Sequence, residues 1–337
     1  MAPVSSLSPR VSILLPTYNR ARFLPAAFDS IGAQTLEDWE LVIVDDGSTD
    51  ETVRLIEDLK CRIPQAVHYE RQENAGPYAA RNRALDLGGA PYVAFFDSDD
   101  LWLPHHLEHC TDALNRNPEV DWVYAACRVV NYQSGEVVDP DTFRMGGEPR
   151  PFLELGHRRI GALHLIDDER AVRYALGEGL WCGLQNSVIR RSVFEESRFQ
   201  TAFRNEAEDQ LFVIRALKHG HCFGYLDTVQ VEYRVHDANS SASATGQTLE
   251  RQLAVYRPVV RGFEQLRTEF DWSGPERRAL ERRIAREHFW HIGYSLLWEN
   301  GRRAEGLESF RIGLRAWPWS LACWKTYLFA RLRQVVG

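Results

Sequence analysis

Cysteine pairs, long apolar runs and phosphate-binding glycine loops are all missing from this chain. The six cysteines, Cys61, Cys110, Cys127, Cys182, Cys222 and Cys323, are widely spaced with no CxxC pair. That spacing excludes a zinc ribbon and a disulfide framework, leaving free thiols in a reducing compartment as the expectation. No stretch approaches the roughly 18 apolar residues of a membrane span. Met1 to Arg10 carries Pro and Ser where a secretory leader needs apolar residues. A cytoplasmic location is therefore expected, with the Asn239-Ser240-Ser241 sequon left unglycosylated. GxxxxGK[ST], a GxGxxG after a strand and GxSxG are absent as well, which removes P-loop, dinucleotide-binding and hydrolase-elbow chemistry.

What remains is globular material: 337 residues, 44% hydrophobic and 26% charged, enough for one large domain or two ordinary ones. The net charge of −7 is unevenly spread. From Gln247 onward 16 Lys/Arg face 10 Asp/Glu, a surplus of +6, and everything before carries −13. An acidic body argues against a nucleic-acid groove and suits a divalent cation held by carboxylates.

Val11 to Leu15, Glu40 to Val44, Ala66 to Tyr69 and Tyr92 to Phe96 are short runs rich in branched and aromatic residues, as strands buried on both faces require. Helical patterns lie between and after them, at about 22–33, 49–60, 77–88 and 104–116. The alternation predicts an α/β fold with a mostly parallel sheet flanked by helices, whose ligands collect at the carboxyl ends of the strands. There the chain places Pro16-Thr17-Tyr18-Asn19, Asp45-Asp46-Gly47-Ser48 and Asp97-Ser98-Asp99-Asp100. Ser48-Thr49-Asp50-Glu51 also fits a capping box. Residues 135 to 180 lose the pattern and suggest a long, partly mobile excursion beside the site. Order returns near Gln185 to Arg190; Asn205 to His219 reads as a helix opening on Glu206, Glu208 and Asp209, and Cys222 to Tyr233 as a strand.

Asp97 and Asp99, one residue apart at a strand end, can aim two carboxylates the same way, which calls for a hard divalent ion bridging to phosphates. The competing reading is a polar turn with Asp100 capping the next helix. Asp45-Asp46 suits a base or ribose contact, or turn chemistry alone. His105, His106 and His109 have helical spacing but read as a solvated face.

Together Pro16-Thr17-Tyr18-Asn19-Arg20, VDDGSTD, Asn74-Ala75-Gly76 leading to Ala80-Arg81-Asn82, FDSDD, Glu208-Asp209 and Tyr233-Arg234-Val235-His236 resemble family 2 glycosyltransferases over about residues 10–240. The resemblance implies the GT-A fold over 1–245, followed by a helical region over 246–337. It implies an inverting transfer from a nucleoside diphosphate sugar, UDP favoured, to a glycan, lipid-linked saccharide or protein hydroxyl, in a setting such as cell-envelope polysaccharide assembly. By the same resemblance Thr17, Tyr18 and Asp46 hold base and ribose with Asp45 beside them, and Arg81 meets the nucleotide or its phosphates. Asp97 and Asp99 hold Mn²⁺ or Mg²⁺, with His236 close by, and Asp209, beside Glu208, is the general base. Asp209 has an independent reading as a helix N-terminal charge.

The chain departs from the family where many relatives have Gly-Gly-Phe-Asp, having Ser197-Arg198-Phe199-Gln200 instead. Trp181, Gln185 and Asn186 fall where relatives line the acceptor pocket, and Trp181 can stack on a sugar or fill a core. Two rivals are a nucleotidyltransferase, whose basic Gly-rich loop is missing, and a catalytically idle nucleotide-sugar-binding scaffold acting through its C-terminal helices. In the tail, Trp290, Gly301, Gly306, Phe310, Gly313 and Pro318 match one tetratricopeptide-like helix pair, expected to pack on the main domain. Trp317 to Val336 fits a helix packed into that hairpin, or an amphipathic helix lying peripherally on the inner face of an anionic membrane.

Overall fold

The computed structural model describes residues 8–201, 208–236 and 248–336. The chain divides into two compact units. The first comprises Met1–Ala171, Leu180–Arg204 and Phe212–His236, and the second Val172–Gly179, Asn205–Leu211 and Asp237–Gly337. Two short stretches, 172–179 and 205–211, therefore join the helical unit in addition to the C-terminal region.

The first unit begins with the expected alternation: β1 Val11–Thr17, α1 Leu24–Gly32, β2 Trp39–Asp45, α2 Thr52–Lys60, β3 Val67–Arg71, α3 Pro77–Leu87 and β4 Tyr92–Phe95. β4, β1, β2 and β3 run parallel in that spatial order. β1 and β2 are buried almost throughout, which is why their sequences are apolar without alternation. Val11, Ile13, Leu15, Leu41, Ile43 and Ala94 enter one core cluster with Leu24, Phe28 and Ile31 of α1. Each large apolar side chain so buried contributes roughly 1.5–3 kcal/mol.

Beyond β4 come β5 Leu101–Trp102, α4 His106–Arg116 and β6 Trp122–Asn131. The segment expected to be a patternless excursion instead forms β7 Val137–Asp139, a small hairpin of β8 Arg144–Met145 and β9 Glu148–Pro149, then β10 His157–Ile160 and β11 Leu163–Ile166. Strands of two to four residues carry too little periodicity to be read from sequence. After α5 Ala171–Gly177 the chain makes β12 Ser187–Arg190, α6 Val193–Glu196, α7 Glu208–Lys218 and β13 Phe223–Val235. The sheet order is β10-β11-β13-β6-β12-β4-β1-β2-β3. β12 lies antiparallel between β4 and β6, so the sheet is mixed although mostly parallel on its β1 side. Arg190 and Arg191, at the end of β12, donate to helix-end carbonyls, Arg190 Nη2 to Leu114 O at 2.7 Å and Arg191 Nη1 to Leu85 O at 3.0 Å. They tie the last turns of α4 and α3, whose carbonyls lack intrahelical partners, to the sheet.

His106 corrects the expectation of a solvated histidine face. It is wholly buried, its ring 4.9 Å from that of Trp102, while His105 lies at the surface. Burial, then the charge of His109, drives the His106 pKa down to about 3. The folded state binds the neutral ring, so this contribution is complete above the unfolded histidine value of about 6.5 and is lost as pH falls from there toward 3. His106→Phe is expected to flatten the acid limb, sparing up to about 1.4 kcal/mol per pH unit below about pH 6.5. Urea unfolding from pH 7 to 4 reads this directly, and parallel acid limbs in both proteins would contradict it.

The second unit contains α8 Leu249–Glu269, α9 Gly274–Arg286, a π-helical segment Glu287–Trp298, α10 Arg303–Ala316 and α11 Leu321–Val336. Ser273 and Glu276 form a reciprocal capping box at the start of α9. Phe289 stacks on Phe310 at 4.4 Å between the π-helical segment and α10. A Cβ at Gly313 would lie 2.9 Å from that of Phe289, so glycine is what permits this approach. The expected helical pair is thus present, turning at Gly301. Arg286 Nη2 donates to Gly177 O at 2.8 Å, which ties α5 to α9.

Candidate active site

Parallel register brings the first two polar clusters together, since Thr17 is the neighbour of Asp45 across β1 and β2. Thr17 is buried, and its Oγ1 has no hydrogen-bond partner among the described residues. Tyr18, next in the chain, is exposed. Asn19 takes φ 52°, a left-handed conformation that asparagine tolerates, and its Oδ1 accepts from Thr49 N at 2.7 Å. The Ser48–Glu51 capping box does not form. Ser48 Oγ accepts instead from Asn19 N at 2.9 Å, and Asp50 Oδ1 accepts from Thr52 N at 3.0 Å.

The two aspartates after β2 are both buried and turn back into the protein. Asp45 Oδ1 accepts from Ser48 N at 2.9 Å, and its Oδ2 lies 3.6 Å from Arg71 Nε. Asp46 gathers the loop after β3: Oδ1 accepts from Gln72 Nε2 at 2.7 Å and Ala75 N at 2.8 Å, and Oδ2 from Gly76 N at 2.8 Å. Gly76, at φ 97°, is what lets that N–H point at the carboxylate. Asp46→Asn would set an amide N–H against one of these donors, an expected loss of roughly 2–4 kcal/mol. An unfolding midpoint equal to wild type would contradict this account of the loop.

The carboxylates after β4 divide by partner. Arg81, on α3 and nearly buried, donates through Nη2 to Asp97 Oδ1 at 2.9 Å. Asp99 Oδ2 lies 3.1 Å from His236 Nε2, at the end of β13, and 3.6 Å from Arg20 Nη2. Burial works to raise the Asp99 pKa, but the His236 hydrogen bond and the Arg20 charge outweigh it, and Asp99 sits below its ordinary value. Asp100 does not cap a helix. It is buried, its Oδ1 accepts from Arg234 N at 3.0 Å, and α4 starts six residues later. Burial, reinforced by the Asp99 and Asp97 charges, pushes Asp100 well above the usual carboxylate range. Arg234 Nε also donates to Asp99 O at 2.5 Å. Phe23 backs His236 with ring centroids 4.5 Å apart.

Sequence reasoning assigned no role to Arg71, read Asp100 only as a helix cap, and carried Asn19, Arg20 and Arg234 within motifs without a role of their own. Their signal was position: all five lie at or just after strand ends, Asn19 and Arg20 after β1, Arg71 on β3, Asp100 after β4 and Arg234 on β13. Among the described residues, three potential ligand atoms come within 4.8 Å of one another only at His105, Glu108 and His109, on α4 and the residue before it. Glu108 Oε2 there also accepts from Thr35 Oγ1 at 2.7 Å.

On the expected acceptor side, Trp181 has φ 55° and lies beneath Arg150, whose guanidinium carbon is 3.6 Å from the ring centroid. Asn186 is buried, its Oδ1 accepting from Gly183 N at 2.9 Å and its Nδ2 donating to Ala125 O at 2.5 Å. The unusual Ser197–Gln200 turn is clamped by Asn82, which donates to Phe199 O at 2.8 Å and accepts from Phe199 N at 3.1 Å. Glu208 and Asp209 open α7 and belong to the second unit.

A divalent cation fits the Asp99 and His236 pair. One carboxylate oxygen and one imidazole nitrogen share a wall, Asp97 stands two residues away, and Mn²⁺-type sites complete such sets with water and substrate phosphate.

The family model described as Glycosyl transferase family 2 matches residues 12–198. The putative glycosyltransferase EpsH of Bacillus subtilis is 27% identical over 254 residues, covering 74% of this chain and 67% of EpsH. S. aureus TarS 1-349 in complex with UDP-GlcNAc superposes with TM-score 0.61 at 19% identity, covering 91% of this chain and 81% of that one. The mannosyltransferase PcManGT from Pyrobaculum calidifontis, in complex with GDP-Man and Mn²⁺, gives TM-score 0.54 at 16% identity over 99% of this chain and 83% of that one.

Proposed function

The chain belongs to glycosyl transferase family 2 and is a glycosyltransferase, and from that premise we propose that it transfers a sugar, with inversion, from a nucleoside diphosphate sugar to an acceptor hydroxyl. The observation that carries the reading is the Asp99 side chain, held by His236 and Arg20 beside the Arg81–Asp97 pair at the carboxyl end of β4. Two structures of this fold, TarS with UDP-GlcNAc and PcManGT with GDP-Man, support a nucleoside diphosphate sugar as donor, and the family resemblance puts UDP first. The acceptor class is a glycan, a lipid-linked saccharide or a protein.

Thr17, with its unpartnered buried hydroxyl, and exposed Tyr18 meet the base and ribose, while Asp45 and Asp46 shape that wall through the 72–76 loop. Arg81 and Arg20 offer positive charge to the diphosphate. Asp99 and His236, with Asp97, would hold Mn²⁺ or Mg²⁺, which when bound stabilises the charge on the departing diphosphate. Asp209 takes the acceptor proton as the hydroxyl attacks from the face opposite the leaving group. Trp181, Asn186 and Glu208 belong to the acceptor side of this scheme, Asn186 by holding backbone rather than by direct contact.

The test is a panel of nucleoside diphosphate sugars with Mn²⁺, scored for nucleoside diphosphate release and, by NMR, for the anomeric configuration of the product. Release from donors of one base with inverted configuration is expected. Retained configuration would overturn the role given to Asp209.

A further inference from the structure

We propose that the outward face of α11 is a docking surface for an anionic lipid bilayer. α11 has two faces. Cys323, Ala330 and Tyr327 turn inward to a cluster with Leu307, Phe310 and Leu314 of α10. At about 100° per residue, Leu321, Leu328 and Leu332 fall on the opposite side, flanked by Trp324 and Phe329. All five are exposed, Leu321 by 84% and Leu332 by 66%, and Trp319 just before the helix by 78%. Of the eleven large apolar side chains exposed among the described residues, six fall between 319 and 332. A continuous patch of this kind marks a contact surface, whereas scattered exposed residues do not.

Charge selects the occupant. Residues 317–337 contain no Asp or Glu, and Lys325, Arg331 and Arg333 give the segment +3. By the same helical geometry Lys325 rises from within the apolar face, and Arg331 and Arg333 border it on either side. The Arg333 guanidinium carbon lies 4.4 Å from the Phe329 ring centroid, so its stem and that ring cover common surface. A second copy docked on this face would oppose +3 to +3. A bilayer bearing anionic headgroups accepts the cations at the depth where tryptophan rings and snorkelling lysine and arginine stems settle. Among the described residues no helix is long and apolar enough to cross a membrane, so α11 would lie along the surface. The inference does not rest on the transfer chemistry.

Flotation of the full chain with phosphatidylcholine vesicles, with and without phosphatidylglycerol, tests it. We expect a preference of roughly tenfold or more for the phosphatidylglycerol vesicles, shrinking in about 1 M NaCl. Leu328→Asp with Leu332→Asp should abolish flotation, and Lys325→Gln with Arg331→Gln and Arg333→Gln should remove the lipid preference. All five side chains are exposed, so the thermal melts should match wild type. Wild type that floats with neither vesicle, or a Leu328→Asp/Leu332→Asp variant that floats as well as wild type, overturns the proposal. A dimer mass by light scattering, lost in the double-aspartate variant and seen without flotation, assigns the face to a second copy instead.

Discussion

Asp209→Asn is expected to lower kcat by roughly 10²–10⁴-fold, the range removed when a general base is lost, with donor affinity held within about twofold. The acceptor hydroxyl must shed its proton as it attacks, and an amide cannot take it. Asn preserves shape and costs at most about 1 kcal/mol of charge-dipole interaction at the start of α7. A melting temperature lowered only slightly, if at all, therefore accompanies the kinetic loss. If Asp209 serves only the helix terminus, kcat is unchanged and the melting temperature falls slightly. Measuring both on one preparation separates the roles.

Asp99→Asn carries the second large effect. Asp99 joins His236 and Arg20 to the end of β4, and its carboxylate stays ionised at neutral pH because the His236 hydrogen bond and the Arg20 charge outweigh its burial. Its loss is expected to reduce kcat/KM by at least about 10²-fold and to remove any Mn²⁺ enhancement of nucleoside diphosphate binding. Asp97→Asn should cost less, since Asp97 Oδ1 is already committed to Arg81. The reverse order, Asp97 severe and Asp99 mild, would move the metal contact to Asp97. Steady-state kinetics with a Mn²⁺ titration for the two variants decides between them.

The placement of the polar clusters in the first unit was legible in part because parallel-strand chemistry writes itself locally. The run Val11 to Leu15 could be nothing but buried, and the polar residues after it had to lie at the strand's carboxyl end, as they do at Thr17. What sequence could not show was which partner each polar group takes. Asp46 is satisfied by Gln72, Ala75 and Gly76, one helix and one strand further on, and no pattern near Asp46 announces them. The direction of β12 was equally silent, since a strand buried on both faces has the same composition parallel or antiparallel. His106 misled because helical spacing groups it with His105 and His109, whereas its own position in the turn faces Trp102. In the tail, glycines at 306 and 313 announced close helix packing, and Gly313 against Phe289 supplies it. The tetratricopeptide label for that pair remains a proposal, tested by whether a designed second copy stacks upon it.

The central claim is a nucleoside diphosphate site built on Asp99, and thermal shift with a panel of nucleoside diphosphates, with and without Mn²⁺, tests it most directly. The account predicts that one of them, UDP first, raises the melting temperature of wild type, more so with Mn²⁺, and that the Mn²⁺ increment vanishes in Asp99→Asn. No metal-dependent shift with any nucleotide would contradict it and leave a nucleotide-independent role for the chain's carboxylates.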